Sequence, residues 1–424
     1  MNTPDAETGG VGATTGETPA DAAVVVPIID AASSAACLRS LGRRGIPTVA
    51  VSEQRTAPAL RSKFCEEVVK IPDPNERLDA YAEVLRSLAG RSDVRTVIPV
   101  REEDVYVLAK HREQFAEEVA TPWPGLETLR NVQDRVRLFD AAESADVARP
   151  KTATLDEWDD WDREAIVKPR YTVRATEYLE SEARAPDESR SQHSSTRFLT
   201  PGTEPDRDEL VAEMGHVPLV QEYVPDSDEY AFFALYDEGD PVATFQHRQR
   251  RGYKYSGGPS AFRESVDIPA LDSAGRRLLA ELDWHGLAMV EFLRNPETGD
   301  FELMEINPRF WTSLPFTVQA GVNFPYYYWQ MAGGNPPERE PDYEVGTASH
   351  LLRGELLHLY SILFEDYPLV KRPSFAESVR DVGASLVAHP RFDYLGLSDP
   401  MPAVQDLKNV GSELLTGRKS GRSR

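Results

Sequence analysis

The chain is poor in cysteine and lysine and has no long apolar run. Two cysteines, Cys37 and Cys65, stand among 424 residues. That number excludes a disulfide scaffold and a cysteine-based zinc site, and the two are read as a reduced pair. Lysine supplies nine of 47 basic residues, against 70 Asp and Glu, for a net charge of −23. Such a surface argues against nucleic acid or an anionic membrane as partner. It suits a protein kept soluble by carboxylates in concentrated salt, where long-range repulsion is screened, and it points to a halophilic cytoplasm. No stretch approaches the roughly 18 uninterrupted apolar residues of a spanning helix. The segment MNTPDAETGG has neither a basic nor an apolar region, so no secretory leader is expected. What remains is an ordinary globular composition, 40% hydrophobic and 28% charged, long enough for two or three domains.

Residues 1–22 read as a disordered tail. Its glycines have neither the spacing nor the preceding strand of a phosphate loop. From residue 23 a β/α rhythm begins. Strands are expected at 24–29, 48–51, 67–71 and 97–100, with helices between them closed by Gly45 and Gly90. The alternation implies a parallel sheet covered on both faces, running to about residue 125. A helix is expected from about 133, with Val136, Phe139 and Ala142 on one face, and then a strand at 165–168. Residues 180–207 are acidic and Ser-rich and read as a polar insertion. Strand runs at 218–224, 229–236 and 241–247 follow, the last two joined by the turn 237–240. Asp272-Ser273 is expected to cap a helix carrying Leu278, Leu279 and Leu282. A second hairpin pairs 287–293 with 301–307. The chain is mainly helical from 336 to 415 and ends in a short basic tail, 416–424.

The second hairpin carries the clearest chemistry. Glu305 and Asn307 share a strand face. A register centred on Thr298 sets Glu291 opposite Glu305, with Cβ atoms about 5 Å apart. Two such carboxylates repel unless a cation lies between them. Glu, Glu and Asn oxygens suit Mg²⁺, with Mn²⁺ as the alternative ion. Solvated acids on an edge hairpin are the plainer alternative, but Met289, Val290, Phe292, Leu303, Met304 and Ile306 bury the region. Arg309 follows Asn307-Pro308 and is placed to grip a phosphoryl or carboxylate oxygen. Lys168, at a strand end in a Lys-poor chain, is a candidate phosphate ligand. Glu222, Tyr223 and Val224 link two strands and offer backbone groups to an adenine edge. Asp228 or Glu229 follows as an acceptor for ribose hydroxyls. His247, Arg248, Arg250, Arg251 and Lys254 form the one dense basic run of the folded part, which suggests an anionic substrate or a transferring phosphoryl group.

These elements stand in the order found in ATP-grasp enzymes, and residues 23–335 resemble them. Asp134-Arg135 followed by Pro150-Lys151-Thr152 resembles the family's Asp-Lys and Pro-x-Thr pattern, with arginine in the lysine position. Ile166-Val167-Lys168-Pro169 is similar to the phosphate-binding lysine strand. Gln221-Glu222-Tyr223-Val224 looks like the adenine hinge, and Glu229 matches the ribose acid. Met289-Val290-Glu291-Phe292 and Met304-Glu305-Ile306-Asn307-Pro308-Arg309 match the metal-binding strands. Tyr171-Thr172-Val173-Arg174 stands where the family has a Gly-rich lid. The resemblance implies a Rossmann-like α/β pre-ATP-grasp domain at 23–125. A two-subdomain α+β ATP-grasp domain at 126–335 and the helical C-terminal segment would follow.

By activity, the resemblance points to the carboxylate–amine ligase branch. A cytoplasmic enzyme would use ATP and Mg²⁺ to join a small carboxylate to an amine through an acyl phosphate. Arg135 and Lys168 would hold phosphates, Glu291, Glu305 and Asn307 the metal, and Arg251 and Arg309 the reacting carboxylate. A phosphotransferase and a nucleotide-binding regulator stay open as alternatives. The C-terminal segment either packs on its own core or forms a homodimer face.

Overall fold

The computed structural model describes residues 22–173, 175, 178 and 196–416, with side chains to 413. The expected tail at 1–22 (Ala22 apart), Arg174, most of the 180–207 insertion and the basic tail from 417 lie outside the described residues.

Strands β1 (Ala23–Pro27), β2 (Thr48–Ser52), β3 (Glu67–Lys70) and β4 (Val94–Val97) form a parallel sheet in the order β3-β2-β1-β4. Alternation of side chains explains the two covered faces. Val25, Val49 and Val51 pack with Tyr81 and Leu85 of helix Leu78–Ala89. Val24, Val26 and Ala50 pack with Leu38 and Leu41 of helix Ala32–Gly42. The expected strand at 97–100 lies three residues too late. Residues 98–100 leave the sheet, because Pro99 has no N–H to donate, and only the Ile98 N–H still bonds the β1 edge, at Val25 O.

A small antiparallel sheet follows, from β5 (Thr152–Thr154), β6 (Ala165–Lys168), β7 (Arg197–Leu199) and β8 (Leu219–Glu222), in the order β5-β8-β6-β7. Strand β7 lies within the end of the expected polar insertion. Leu199 packs into the core of the small sheet, and Phe198, on the other face, meets the rings of Tyr223 and Tyr367.

The large sheet contains β9 (Asp228–Asp237), β10 (Asp240–Lys254), β11 (Gly257–Ser265), β12 (Gly286–Arg294), β13 (Phe301–Asn307) and β14 (Ala348–His350), ordered β13-β12-β9-β10-β11-β14. On one face Phe232, Ala234, Val290 and Phe292 meet Leu271, Leu278 and Leu279 of helix Pro269–Glu281. A Cβ on Gly275 would run into the Phe232 ring, so glycine allows this close approach. The helix starts before the expected Asp272 cap: Pro269 takes its first turn, where a missing N–H costs nothing. The opposite face, with Ala231 and Phe233, looks toward a cleft. Helices Leu352–Phe364, Phe375–Ala388 and Met401–Thr416 make the C-terminal segment helical as expected, while β14 adds it to the sheet edge. Buried Arg39 of the first helix donates to Asp399 Oδ2 at 2.8 Å and to the carbonyls of Asp393, Tyr394 and Asp399. Among the described residues no helix is long and apolar enough to cross a membrane.

Candidate active site

The hairpin β12–β13 brings the expected residues opposite each other, through a bulge between Glu291 and Phe292. Glu291 pairs with Glu305, and Asn307 pairs with Met289. All three polar side chains line the cleft. The Asn307 amide nitrogen reaches Glu291 Oε1 at 3.5 Å and Glu305 Oε1 at 3.4 Å, and its oxygen accepts from Arg309 at 2.8 Å. Burial, then Glu305 and Glu229, push the Glu291 carboxyl well up. Burial acts against Glu305 too, but Arg135 outweighs it and holds this carboxyl low. Without a cation between them the pair therefore favours a proton on Glu291 over a second negative charge beside Glu305. Two hard carboxylates with an amide beside them fit a divalent ion, once the amide turns its oxygen toward them.

Positive groups converge from the other side. Arg135 opens helix Arg135–Ser144, whose Asp134 cap accepts from the Val136 N–H. Its guanidinium spans Pro169 O at 2.9 Å and Glu305 Oε2 at 2.8 Å. Lys168, at the end of β6, is nearly buried and donates to Gln221 Oε1 at 2.7 Å, with the Phe139 ring 5.4 Å away. Burial and then Arg135 depress its ammonium to about 7, against the opposing pull of Glu305 and Glu291. Gln221 is in turn fixed, donating to Thr152 Oγ1 at 2.8 Å. Sequence reading named Gln221 only as part of the hinge; its place in β8 beside β6 makes it the lysine's anchor.

Glu222 ends β8, and Tyr223 and Val224 follow it. The N–H groups of Glu222 and Tyr223 are taken by Lys151 O and Glu164 O. The Glu222 side chain turns to Arg163 at 2.5 Å. Glu229 lies diagonal to Glu291 on the same face of the sheet. It accepts from Gln249, and burial raises it to about 7. Gly257 holds its backbone against Glu229: a Cβ there would stand 2.6 Å from Oε1.

Arg309 is gripped by Glu102 at 2.8 Å, and Gln133 holds the other Glu102 oxygen at 3.0 Å. Arg251 lines the cleft but is turned toward the C-terminal segment, with Glu355 at 2.6 Å and Ser385 at 2.7 Å. The basic run is met by acids one by one: Arg248 by Asp228 at 2.7 Å, Arg250 by Glu264 at 3.7 Å, Arg251 by Glu355. It is therefore not an open cationic patch, which corrects the reading from charge density alone. Glu102 and Glu355 were missed because no local motif marks them; their partners lie on other elements.

Arg135, Lys168, Gln221, Glu229, Arg251, Glu291, Glu305, Asn307 and Arg309 border one cleft of 2470 Å³ between the small sheet, the large sheet and the carboxyl ends of β1 and β4. That exceeds the roughly 300–1,000 Å³ of an ordinary ligand pocket and leaves room for more than one substrate. No family model matches the chain. Segments of it are 35% identical over 114 residues to acetyl-CoA carboxylase 2 of Arabidopsis thaliana and 35% identical over 97 residues to acetyl-CoA carboxylase 1 of rice (Oryza sativa subsp. japonica). The chain spans only 5% and 4% of the length of those relatives. The structure resembles N5-carboxyaminoimidazole synthetase of Staphylococcus aureus complexed with ADP, with TM-score 0.59 and 12% identity over 86% of this chain and 96% of that one. It also resembles the biotin carboxylase domain of Hydrogenobacter thermophilus 2-oxoglutarate carboxylase, crystallised with MgADP, ADP and bicarbonate. There the TM-score is 0.56 and the identity 16%, over 77% of this chain and 73% of that one. The ATP-grasp fold expected from the motifs is present.

Proposed function

We propose that the chain is an ATP- and Mg²⁺-dependent carboxylate–amine ligase. The observation that carries this reading is the convergence of Lys168 and Arg135 from one side on the opposed Glu291–Glu305 pair from the other. Lys168 and Arg135 bind phosphate oxygens, the 222–224 segment receives the adenine edge, and Glu229 the ribose hydroxyls. A divalent ion held by Glu291, Glu305 and Asn307 would supply charge neutralisation for the phosphates. Arg309, fixed by Glu102, orients the substrate carboxylate. One carboxylate oxygen bonds to the γ-phosphorus as ADP leaves, giving an acyl phosphate. The amine nitrogen then bonds to the acyl carbon, inorganic phosphate leaves, and the nitrogen gives its proton to phosphate or solvent. No side-chain nucleophile takes part. Arg251, anchored by Glu355, borders the same space and steadies the acyl phosphate. Structures with these fold neighbours' names hold ADP, magnesium and bicarbonate, which supports the nucleotide and ion. The Arg135–Glu305 ion pair favours one other reading, nucleotide binding without turnover, because it occupies a carboxylate oxygen that the metal would use.

The test is ADP release with Mg²⁺ in concentrated KCl, against amino acids and small carboxylates offered singly and in pairs. Release only with a carboxylate–amine pair is expected, and Glu305→Ala is expected to abolish it while circular dichroism stays unchanged. A stable phosphorylated product from one substrate alone would replace the ligase by a phosphotransferase. Wild-type turnover in Glu305→Ala would sink the metal assignment.

A further inference from the structure

Across four neighbouring strands one row of the cleft face reads Glu305, Glu291, Ala231, His247. At ~4.8 Å per strand His247 stands about 10 Å from Glu291. Ala231 between them has the smallest side chain of the row, so the face dips there. One step along β9, Phe233 touches both the His247 ring at 4.7 Å and the Trp311 ring at 4.6 Å. His247 is 2% exposed and Trp311 fully buried, and both line the cleft. Among the described residues the indole N–H of Trp311 and Nδ1 of His247 have no partner. A buried group left unpaired is costly, and native proteins leave few of them without a reason. Burial, and then the Arg263 guanidinium, keep His247 neutral, down to about 3. Arg263 is itself ion-paired with buried Asp393. The place is therefore polar without net charge, and the indole can only donate.

We propose that His247 and Trp311 form a subsite for a second, uncharged hydrogen-bond acceptor on the carboxylate substrate: an amide, carbonyl or hydroxyl oxygen. That group lies across Ala231 from the reacting carboxylate. The position of that carboxylate rests on the ligase reading; the subsite itself rests on the unpartnered indole N–H and imidazole nitrogen, the latter donating in its Nδ1–H tautomer. A substrate lacking the second group leaves both unpaired, and sites of this kind discriminate strongly against such analogues.

The probes are pentanoate, 5-hydroxypentanoate, 4-carbamoylbutanoate and glutarate, each with Mg²⁺ and a non-hydrolysable ATP analogue. The readout is the indole ¹⁵N–¹H resonance of Trp311, assigned by its loss in Trp311→Phe, together with binding constants for wild type, Trp311→Phe and His247→Phe. Both substitutions keep an aromatic ring in place, and retained nucleotide affinity reports the fold. The hydroxy and carbamoyl acids are expected to move the resonance and to bind roughly tenfold or more tighter than pentanoate, an advantage lost in both variants. A resonance unmoved by all four acids, an advantage that survives in both variants, or a preference for glutarate would each overturn the proposal. ADP release measured alongside separates the two readings. A moved resonance with no ADP under any amine removes the ligase and leaves the subsite. ADP release with both variants behaving as wild type does the reverse.

Discussion

Lys168 is placed so that its charge depends on pH within the working range. It sits among Gln221, Phe139, Arg135, Glu291 and Glu305, and the balance of burial and Arg135 against the two acids holds its ammonium near 7. At pH 7 about half of the free protein carries the proton, and at pH 9 about one molecule in a hundred does. A nucleotide phosphate on the ammonium favours the charged form and raises its pKa. Binding then takes up a proton above pH 7, so affinity falls as pH rises. Between pH 7 and 9 the loss reaches up to about fiftyfold if the bound lysine returns to its ordinary range. The assay is isothermal titration of ATP in EDTA at pH 7, 8 and 9, corrected for the γ-phosphate proton that ATP still partly carries at pH 7, repeated in two buffers of different ionisation enthalpy to count protons. Lys168→Arg keeps a charge that does not titrate, so its slope reports Glu291 and Glu229 alone. A slope equal in wild type and Lys168→Arg, or no proton uptake at pH 8, would refute the reasoning.

Arg135→Lys cannot bridge Pro169 O and Glu305 Oε2 as the guanidinium does, so it is expected to lower the Mg²⁺ needed for half-maximal nucleotide binding severalfold, read by fluorescence titration. Asp393→Ala strands the fully buried Arg263 and should cost about 3–5 kcal/mol in urea unfolding, whereas Arg263→Met with Asp393→Leu should cost clearly less. Gly275→Ala drives a methyl into Phe232 and should cost about 1–3 kcal/mol despite the better helix former, seen as a lowered Tm.

The parts of the site that sequence reading reached are those set by local geometry. Glu305 and Asn307 share a face by the two-residue period of a strand. The expected Glu291–Glu305 pair is met through a bulge: the turn aligns Arg294, Leu293 and Phe292 with Phe301, Glu302 and Leu303, a register that would set Glu291 opposite Met304, and the bulge skips Met304. Lys168 stood out because it closes a strand before proline. What was not legible depends on long-range packing. Arg251 takes its direction from Glu355 and Ser385, 104 and 134 residues away. His247 looked like one more cation in a basic run; burial between Phe233 and Phe316 makes it neutral. Pro99 signalled that β4 ends early, but a run of Val and Ile outweighed it.

Arg39 belongs to the first helix, yet the groups that receive its guanidinium come some 360 residues later. At about 5–20 residues per second, the ribosome takes roughly 20 to 70 s to deliver Asp399 after Arg39. Until then the first domain exposes an arginine and the apolar patch around it to water. The amino-terminal sheet can form early, but the contact that closes it waits for the same segment that aims Arg251. One later-made segment thereby finishes both the first domain and the wall of the cleft.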